Sequence, residues 1–192
     1  MKKVLIIQGH PNRDSLSNRI QLAYEEGVRE AGGEVRTLVI RDLDFQPILF
    51  MGYKRTEALE EDIIHAQQEV SWADHLVFIY PNWWGTYPAI FKGFIDKVLW
   101  PGFAFAYRSG RGWPEQKLKG KSARVFVTMD SSRWTYFIRQ GAPGHRAMKN
   151  ATLNFVGIRP VRFKTFSRIR FAEHSTIERW GRQVKKLGRE MI

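Results

Sequence analysis

The sequence predicts an α/β protein in which a five-stranded parallel sheet is doubly wound, with helices on both faces. Short apolar runs rich in β-branched residues are typical of strands that are covered on both faces. Segments with apolar residues at helical spacing separate these runs, and polar loops with glycine or proline join them. This alternation favours βαβ units and the strand order 2-1-3-4-5. The 192 residues suit one domain spanning residues 1–192.

The first half of the chain supplies three predicted strands and two predicted helices. The strands are expected at residues 4–7, 34–40 and 75–80, and the helices at residues 16–28 and 59–70. Two consecutive glycines end the first helix. Acidic side chains favour the first turns of the second helix because they complement the helix dipole. They are Glu57, Glu60, Glu61 and Asp62.

The second half begins with a predicted helix at residues 88–99, with Pro88 in its first turn. Residues 100–120 then form a long aromatic excursion, and a loop of that length usually serves a purpose. The remaining predicted elements are a strand at 121–128, an aromatic loop at 129–143, a helix at 145–155 ended by Gly157, a strand at 161–166 and a helix at 178–191.

The composition excludes several kinds of chemistry. The absence of cysteine removes disulfides, thiolate nucleophiles, iron–sulfur clusters and cysteine-ligated zinc, and we identify no metal ligand. The apolar run near the start is shorter than a signal-peptide core, and no run approaches the roughly 18 apolar residues of a membrane span. We therefore expect a cytoplasmic protein.

The net charge of +12 limits the choice of partners. A basic surface suits nucleic acid, an anionic membrane or a phosphorylated small molecule. Here the positive charge is spread over many elements, and no basic low-complexity arm is present. We expect a solvated surface with one phosphate-binding corner rather than a nucleic-acid partner.

Ligands of doubly wound sheets lie beyond the carboxyl ends of the strands, here the first, third and fourth. The loop after the first strand lacks the G-x-G-x-x-G fingerprint of dinucleotide sites. Polar groups before a helix N-terminus can form an anion site, although Ser15 or Asp14 would equally serve as an ordinary N-cap. The candidates in this loop are His10, Asn12, Ser15, Ser17 and Asn18.

The loop after the third strand contains two adjacent tryptophans flanked by proline and glycine. Such a loop can recognise a flat heterocycle through its backbone while an indole walls one side. The alternative is that both indoles pack on the neighbouring helix. Because adjacent side chains diverge, we expect at least one to pack on protein. The candidates are Pro81, Asn82, Trp83, Trp84 and Gly85.

The loop after the fourth strand lies opposite and supplies hydrogen-bond donors and acceptors. Tyr136 and His145 could donate to a substrate carbonyl as electrons arrive, and each could equally be a satisfied structural residue. The candidates for ligand binding in this loop are Thr128, Met129, Asp130 and Ser131.

At these loops the sequence resembles the flavodoxin-like NAD(P)H:quinone oxidoreductases. That family includes two-electron quinone reductases and the flavoprotein ancillary subunits of bacterial potassium efflux systems. The segment Tyr80-Pro81-Asn82-Trp83-Trp84-Gly85-Thr86-Tyr87-Pro88-Ala89 carries the most specific part of the likeness. Further matching segments are residues 6–11, 15–18, 90–93, 103–107 and 118–121.

The resemblance implies a flavodoxin-like homodimer with a flavin at each interface. The flavin phosphate would be held by His10 and residues 15–18, and residues 81–85 would line the isoalloxazine. Residues 128–131 would contact its pyrimidine end, and Tyr136 would face the substrate. Residues 103–107 would lie near the partner subunit.

One motif departs from the family. Its larger members have Thr-Thr-Gly-Gly where this chain has Thr128-Met129-Asp130-Ser131, and the loss of both glycines restricts close backbone approach. The short chain without a dinucleotide fingerprint favours FMN over FAD.

The implied activity is two-electron reduction of a quinone or similar flat acceptor by NADPH or NADH. Donor and acceptor would share one face of the flavin, which predicts ping-pong kinetics. The surplus arginines suit the phosphates of the donor. One alternative is a flavin-binding ancillary subunit associated with a membrane transporter. Another is an electron-carrying flavodoxin, although such carriers are usually acidic.

Overall fold

The protein is described by a computed structural model covering residues 1–54, 58–108 and 112–191. Its central sheet has five parallel strands in the order β2-β1-β3-β6-β7. Counted along these five strands, the order is 2-1-3-4-5, so the predicted fold class and topology are confirmed. The strands are β1 Lys3–Gln8, β2 Glu34–Val39, β3 His75–Pro81, β6 Ser122–Met129 and β7 Val161–Ser167. A separate antiparallel ribbon pairs β4 Phe105–Ala106 with β5 Glu115–Gln116.

Helices cover both faces of the sheet. Alternate strand residues pack to opposite sides, so Ile6 contributes to the core beneath α1 and α5, and Ile7 to the core beneath α2, α3 and α4. These helices are α1 Leu16–Glu30, α2 Glu61–Trp72, α3 Ala89–Val98, α4 over residues 143–156, and α5 His174–Glu190. The middle of α4, Ala147–Leu153, is π-helical.

Two glycines allow α1 and α5 to pack closely on one face. A Cβ atom on Gly27 would lie 2.0 Å from the carbonyl oxygen of Lys185, and one on Gly188 would lie 2.4 Å from that of Tyr24. Any larger residue would therefore push the two helices apart.

Some predicted boundaries are wrong. α2 begins at Glu61 rather than at residue 59, because the backbone of Glu60 is extended and makes this residue the N-cap. The Glu60 carboxylate accepts the Gln46 N–H (3.1 Å) and pairs with Lys97. Glu57, which we placed in the same turn, lies outside the described residues. Pro88 is the residue before α3 rather than part of its first turn.

The last helix and the long excursion also differ from prediction. α5 starts at His174, four residues before the predicted 178, because its first three residues are polar and show no apolar spacing. Part of the excursion at residues 100–120 forms the β4–β5 ribbon, whose two-residue strands are too short to show a period. Among the described residues, no helix is both long and apolar enough to cross a membrane.

Candidate active site

Three loops meet at the carboxyl ends of β1, β3 and β6, as predicted. The Gly9 N–H donates to the carbonyl of Ile79 (2.8 Å), which joins the first loop to β3. The Asn82 N–H donates to the carbonyl of Thr128 (2.7 Å), which joins the second loop to β6. Strand pairing therefore fixes the relative positions of all three loops before any side chain contributes.

The first loop presents the N-terminus of α1. The Ser15 hydroxyl accepts the Asn18 N–H (3.3 Å), so Ser15 is the N-cap of the helix. Ser17 is buried, and its hydroxyl lies 3.5 Å from that of Thr128, which links the first and third loops. The Asn12 amide oxygen accepts the Asp14 N–H (3.0 Å). The loop therefore offers mainly the helix N-terminus and His10 to an anion.

His10 is a neutral side chain that can donate one hydrogen bond. Its Nδ1 accepts the Asn12 N–H (3.0 Å), so in the neutral ring the proton lies on Nε2. Burial lowers the pKa of His10, and the Asn12 hydrogen bond opposes this effect, while the charge of Arg41 adds to it. The ring packs edge-on against Trp83, with centroids 6.1 Å apart. The Nε2–H group is therefore available to an acceptor at this edge of the sheet.

The second loop contains a tight turn over residues 83–86. Trp83 and Thr86 exchange two backbone hydrogen bonds of 2.8 and 3.0 Å. Trp84 and Gly85 between them have positive φ angles of 53° and 82°. The Trp84 side chain is consequently fully exposed and that of Trp83 is about half exposed. The alternative that both indoles pack on the neighbouring helix is therefore wrong for Trp84.

The turn is held from the side of α4. The Gly85 carbonyl accepts the Gly144 N–H (2.9 Å) and the Tyr136 hydroxyl (3.4 Å). The Tyr136 oxygen also lies 3.0 Å from His145 Nδ1, and His145 Nε2 lies 2.9 Å from the Thr165 hydroxyl. Tyr136 and His145 therefore connect β7 to the turn.

Tyr136 and His145 are both neutral near pH 7. Burial raises the pKa of Tyr136. Burial, with the positive charge of Arg133, lowers the pKa of His145 to about 4. Both residues are buried and bonded to protein partners. Their arrangement positions the turn, and the catalytic role suggested by the sequence stays a prediction.

The third loop is anchored by side chains rather than by glycines. Met129 is buried in a small apolar cluster with Tyr136 and Ala142. The Asp130 carboxylate faces outward and accepts the backbone N–H of Arg170 (2.9 Å). Asp130 therefore ties this loop to the one that follows β7.

A cleft of about 390 Å³ opens between the second and third loops. Gln140 and Pro143, which the sequence did not single out, belong to it because the π-helical turn Thr135–Arg139 carries the chain back toward Trp84. Its lining residues are Asn82, Trp84, Gly85, Ser131, Gln140 and Pro143. A larger cavity of about 860 Å³ lies near Trp113 and Arg159, away from these loops.

One buried polar atom of a residue that lines the cleft lacks a partner. The side-chain oxygen Oδ1 of Asn82 is buried, and no described residue donates a hydrogen bond to it. A buried acceptor left unpaired is costly, so it marks a place where a ligand N–H would be stabilising.

The chain matches one protein family over nearly its whole length. The profile of that family, described as having a flavodoxin-like fold, covers residues 2–187. The chain belongs to this flavodoxin-like family. The family resemblance inferred from the sequence is therefore confirmed.

Relatives of this flavodoxin-like chain are named as oxidoreductases. An uncharacterized NAD(P)H oxidoreductase of Haemophilus influenzae is 32% identical over 179 residues, which cover 86% of this chain and 83% of that protein. A ribosyldihydronicotinamide dehydrogenase (quinone) of Mus musculus is 28% identical over 187 residues, which cover 82% of this chain and 78% of that protein.

Solved structures share the flavodoxin-like architecture. Smu.1420 from Streptococcus mutans superposes with a TM-score of 0.84 at 27% identity, covering 98% of this chain and 99% of that one. An FMN-dependent NADH-azoreductase of Bacillus anthracis, solved in complex with FMN, gives a TM-score of 0.74. The superposition covers 100% of this chain and 99% of the azoreductase chain, but at 16% identity the likeness concerns the fold alone.

Proposed function

We propose that this protein is a flavin-dependent NAD(P)H oxidoreductase that reduces quinones or similar flat acceptors by two electrons. The observation that carries the proposal is the cleft between the second and third loops with the unpaired Asn82 acceptor, at the edge of the sheet where ligands of this fold bind. The oxidoreductase names of the relatives support the same reaction class.

The residues present fit a flavin. Asn82 Oδ1 would accept an N–H group of the isoalloxazine, which would satisfy the buried oxygen. His10 Nε2–H and the N-terminus of α1 would hold a phosphate. The missing dinucleotide fingerprint favours FMN over FAD.

The protein supplies binding, orientation and exclusion of water. When bound, a flavin supplies the site that accepts hydride from a reduced nicotinamide and passes two electrons to a quinone. The Trp84 indole would form one side of the cleft. The hydrogen-bonded series Tyr136–His145–Thr165 would hold the turn over residues 83–86 that contains Trp84. Because Tyr136 and His145 stay neutral near pH 7, they would place no charge beside the reacting ring.

Steady-state kinetics test the proposal. Initial rates measured with NADPH and a soluble quinone, each varied at several fixed levels of the other, should give parallel double-reciprocal lines. Flavin-free protein should be inactive and should recover on addition of FMN. Protein that takes up neither FMN nor FAD would refute the proposed function.

The homodimer and the cytoplasmic location remain proposals. Tyr107 and Trp113 on the 100–120 excursion are largely exposed, and burial against a second subunit would cover them. Light scattering on the purified protein should give twice the chain mass of 22.5 kDa. Association with a membrane transporter likewise remains a proposal.

Replacing Trp84 with alanine is expected to weaken FMN binding about tenfold, because one aromatic wall of the cleft is lost. The free energy of unfolding should change by less than about 0.5 kcal/mol, since the indole is fully exposed. Fluorescence titration with FMN and urea unfolding measure the two effects. Trp84→Phe is the matched control and should retain most of the affinity, whereas equal affinity in the alanine variant would show that the indole takes no part.

Replacing Asn82 with alanine is expected to affect the flavin-free and flavin-bound proteins in opposite directions. Without flavin, loss of an unpaired buried acceptor should leave stability unchanged or raise it by up to about 1 kcal/mol. FMN affinity should fall about tenfold, because a hydrogen bond to the ring is lost. Thermal unfolding with and without FMN measures both effects. Asn150→Ala, an exposed amide on α4, should change neither, and unaltered FMN affinity in Asn82→Ala would contradict the assignment.

A further inference from the structure

The positive charge of the chain is unevenly distributed along the sequence. Residues 129–172 contain nine lysines and arginines but only one acidic residue, Asp130. Residues 1–74, by contrast, contain nine basic and thirteen acidic residues. Residues 129–172 therefore carry a net charge of +8, whereas residues 1–74 carry a net charge of −4.

Four arginines of this region lie at the carboxyl edge of the sheet, beside the cleft. Two are on the loop after β6, which also contributes Ser131 and Gln140 to the cleft, and two follow β7. The two loops are adjacent because Met129 pairs with Ser167 and because the Asp130 carboxylate accepts the Arg170 N–H. The four are Arg133, Arg139, Arg168 and Arg170, and all are exposed.

These guanidinium groups are largely free to bind an anion. Within the described part of the chain, Arg133, Arg139 and Arg168 form no ion pair, and Arg170 has one long contact with Asp130 at 3.5 Å. The guanidinium of Arg133 lies over the Phe137 ring (5.1 Å) and that of Arg168 over the Phe171 ring (5.7 Å). Stacking of this kind fixes the cation while leaving its N–H edge open to phosphate.

Arg168 has an unusual backbone conformation. Its φ of 56° lies in the left-handed region, which glycine or asparagine adopts at lower cost. Arg168 begins the turn Ile169–Phe171, and the largely exposed Phe171 ring follows it. An outlier of this kind at the edge of a binding cleft supports a functional role.

We propose that Arg133, Arg139 and Arg168 bind the phosphates of the nicotinamide donor and make NADPH, with its 2′-phosphate, preferred over NADH. This inference rests on the proposed function. The flavin phosphate is assigned to the end of β1, and β7 lies about 14 Å away across three strand spacings. The arginines therefore lie apart from the flavin phosphate, and their position suits the adenosine half of the nicotinamide dinucleotide. The exposed rings of Trp134 and Phe171 offer surfaces on which its adenine could stack.

The first test is the ratio of kcat/KM for NADPH to that for NADH, measured with one acceptor. The ratio should be roughly tenfold or more in the natural protein and fall about tenfold in Arg133→Gln and in Arg168→Asn, through KM for NADPH alone. Asparagine is chosen at position 168 because it tolerates the left-handed conformation. Arg159→Gln, an exposed arginine at the opposite edge of the sheet, should leave the ratio unchanged.

A second test does not depend on turnover. Calorimetry on the flavin-free and the FMN-loaded protein should show 2′,5′-ADP binding about tenfold more tightly than 5′-AMP, with the difference lost in Arg168→Asn. Equal use of NADH and NADPH, together with equal binding of the two nucleotides, would overturn this inference while leaving the flavoenzyme proposal intact. If the protein takes up no flavin, the proposed function fails, and the calorimetry still decides whether these arginines recognise a 2′-phosphate.

Discussion

Lowering the pH from 7 to 4.5 is expected to reduce the free energy of unfolding by roughly 3–5 kcal/mol, because two histidines are buried in neutral form. His75 is fully buried and lies 3.2 Å from the Tyr24 hydroxyl and 2.7 Å from that of Ser122. Burial lowers the pKa of His75 to about 3, assisted by the positive charges of Lys2, Arg124 and Arg162. His145 is the second such group, with a pKa of about 4.

The free energy of unfolding falls as the pH is lowered because the unfolded state binds protons before the folded state does. Both folded-state pKa values lie below the ordinary histidine value of 6.5. The unfolded chain therefore takes up protons as the pH falls below about 6.5, while the folded protein does not until about pH 4 and below. The stability contributed by the two neutral rings is complete above pH 6.5. It is lost as the pH falls from 6.5 toward the folded-state pKa values of about 4 and about 3.

Urea unfolding at intervals between pH 4.5 and 8 measures this effect. His75→Gln and His145→Gln should each be less stable at pH 7, because a buried hydrogen-bond arrangement is disturbed, but each should show a shallower dependence on pH. His174→Gln is the control, since that side chain is 80% exposed. A stability that is flat between pH 7 and 5, or variants that keep the full slope, would contradict the neutral burial of these rings.

Replacing Gly144 with alanine is expected to weaken FMN binding about thirtyfold without unfolding the protein. A Cβ atom at this position would lie 2.8 Å from the carbonyl oxygen of Gly85, 3.0 Å from Thr86 Cα and 3.0 Å from the Tyr136 hydroxyl. Relief of that overlap would shift the turn that carries Trp84, at a cost of about 2 kcal/mol. Most of this cost should appear as lost affinity, because the turn is at the surface and borders the cleft.

The Gly181→Ala variant separates the effect of alanine on helix propensity from the steric overlap expected at Gly144. Gly181 also lies in a helix, and a Cβ atom there would meet nothing within 4 Å. Gly181→Ala should raise stability by about 0.5–1 kcal/mol through helix propensity and leave FMN binding unaltered. If Gly144→Ala binds FMN as tightly as the natural protein, the turn over residues 83–86 does not position the ligand.

The sheet could be predicted closely because its central strands are buried on both faces. β1 and β3 contain continuous apolar runs and β6 is largely apolar, so their positions in the sequence are plain to within a residue or two. Most of the helices could also be predicted, because apolar residues at helical spacing mark the face that packs on the sheet. The start of α2 was less plain, because glutamate at position 60 is as compatible with a first helical turn as with the extended N-cap that it forms.

The location of the site was also predictable, but its internal arrangement was not. Carboxyl ends of neighbouring parallel strands must meet, which brought the three loops together from topology alone. The outward direction of Trp84 depends on its positive φ and on the bond from Gly144 to Gly85, which joins residues far apart in the chain. Contact between Tyr136 and His145 likewise depends on the path of the loop between them.

We expect the cleft between the second and third loops to hold a flavin that exchanges two electrons with NAD(P)H and a quinone. An anaerobic absorption titration tests it most directly. We expect the flavin-free protein to take up one FMN per chain, to be bleached by one equivalent of NADPH, and to recover its yellow colour with one equivalent of quinone. Protein that binds no flavin, or whose bound flavin is not bleached by NADPH or NADH, would contradict the proposed flavin-dependent activity.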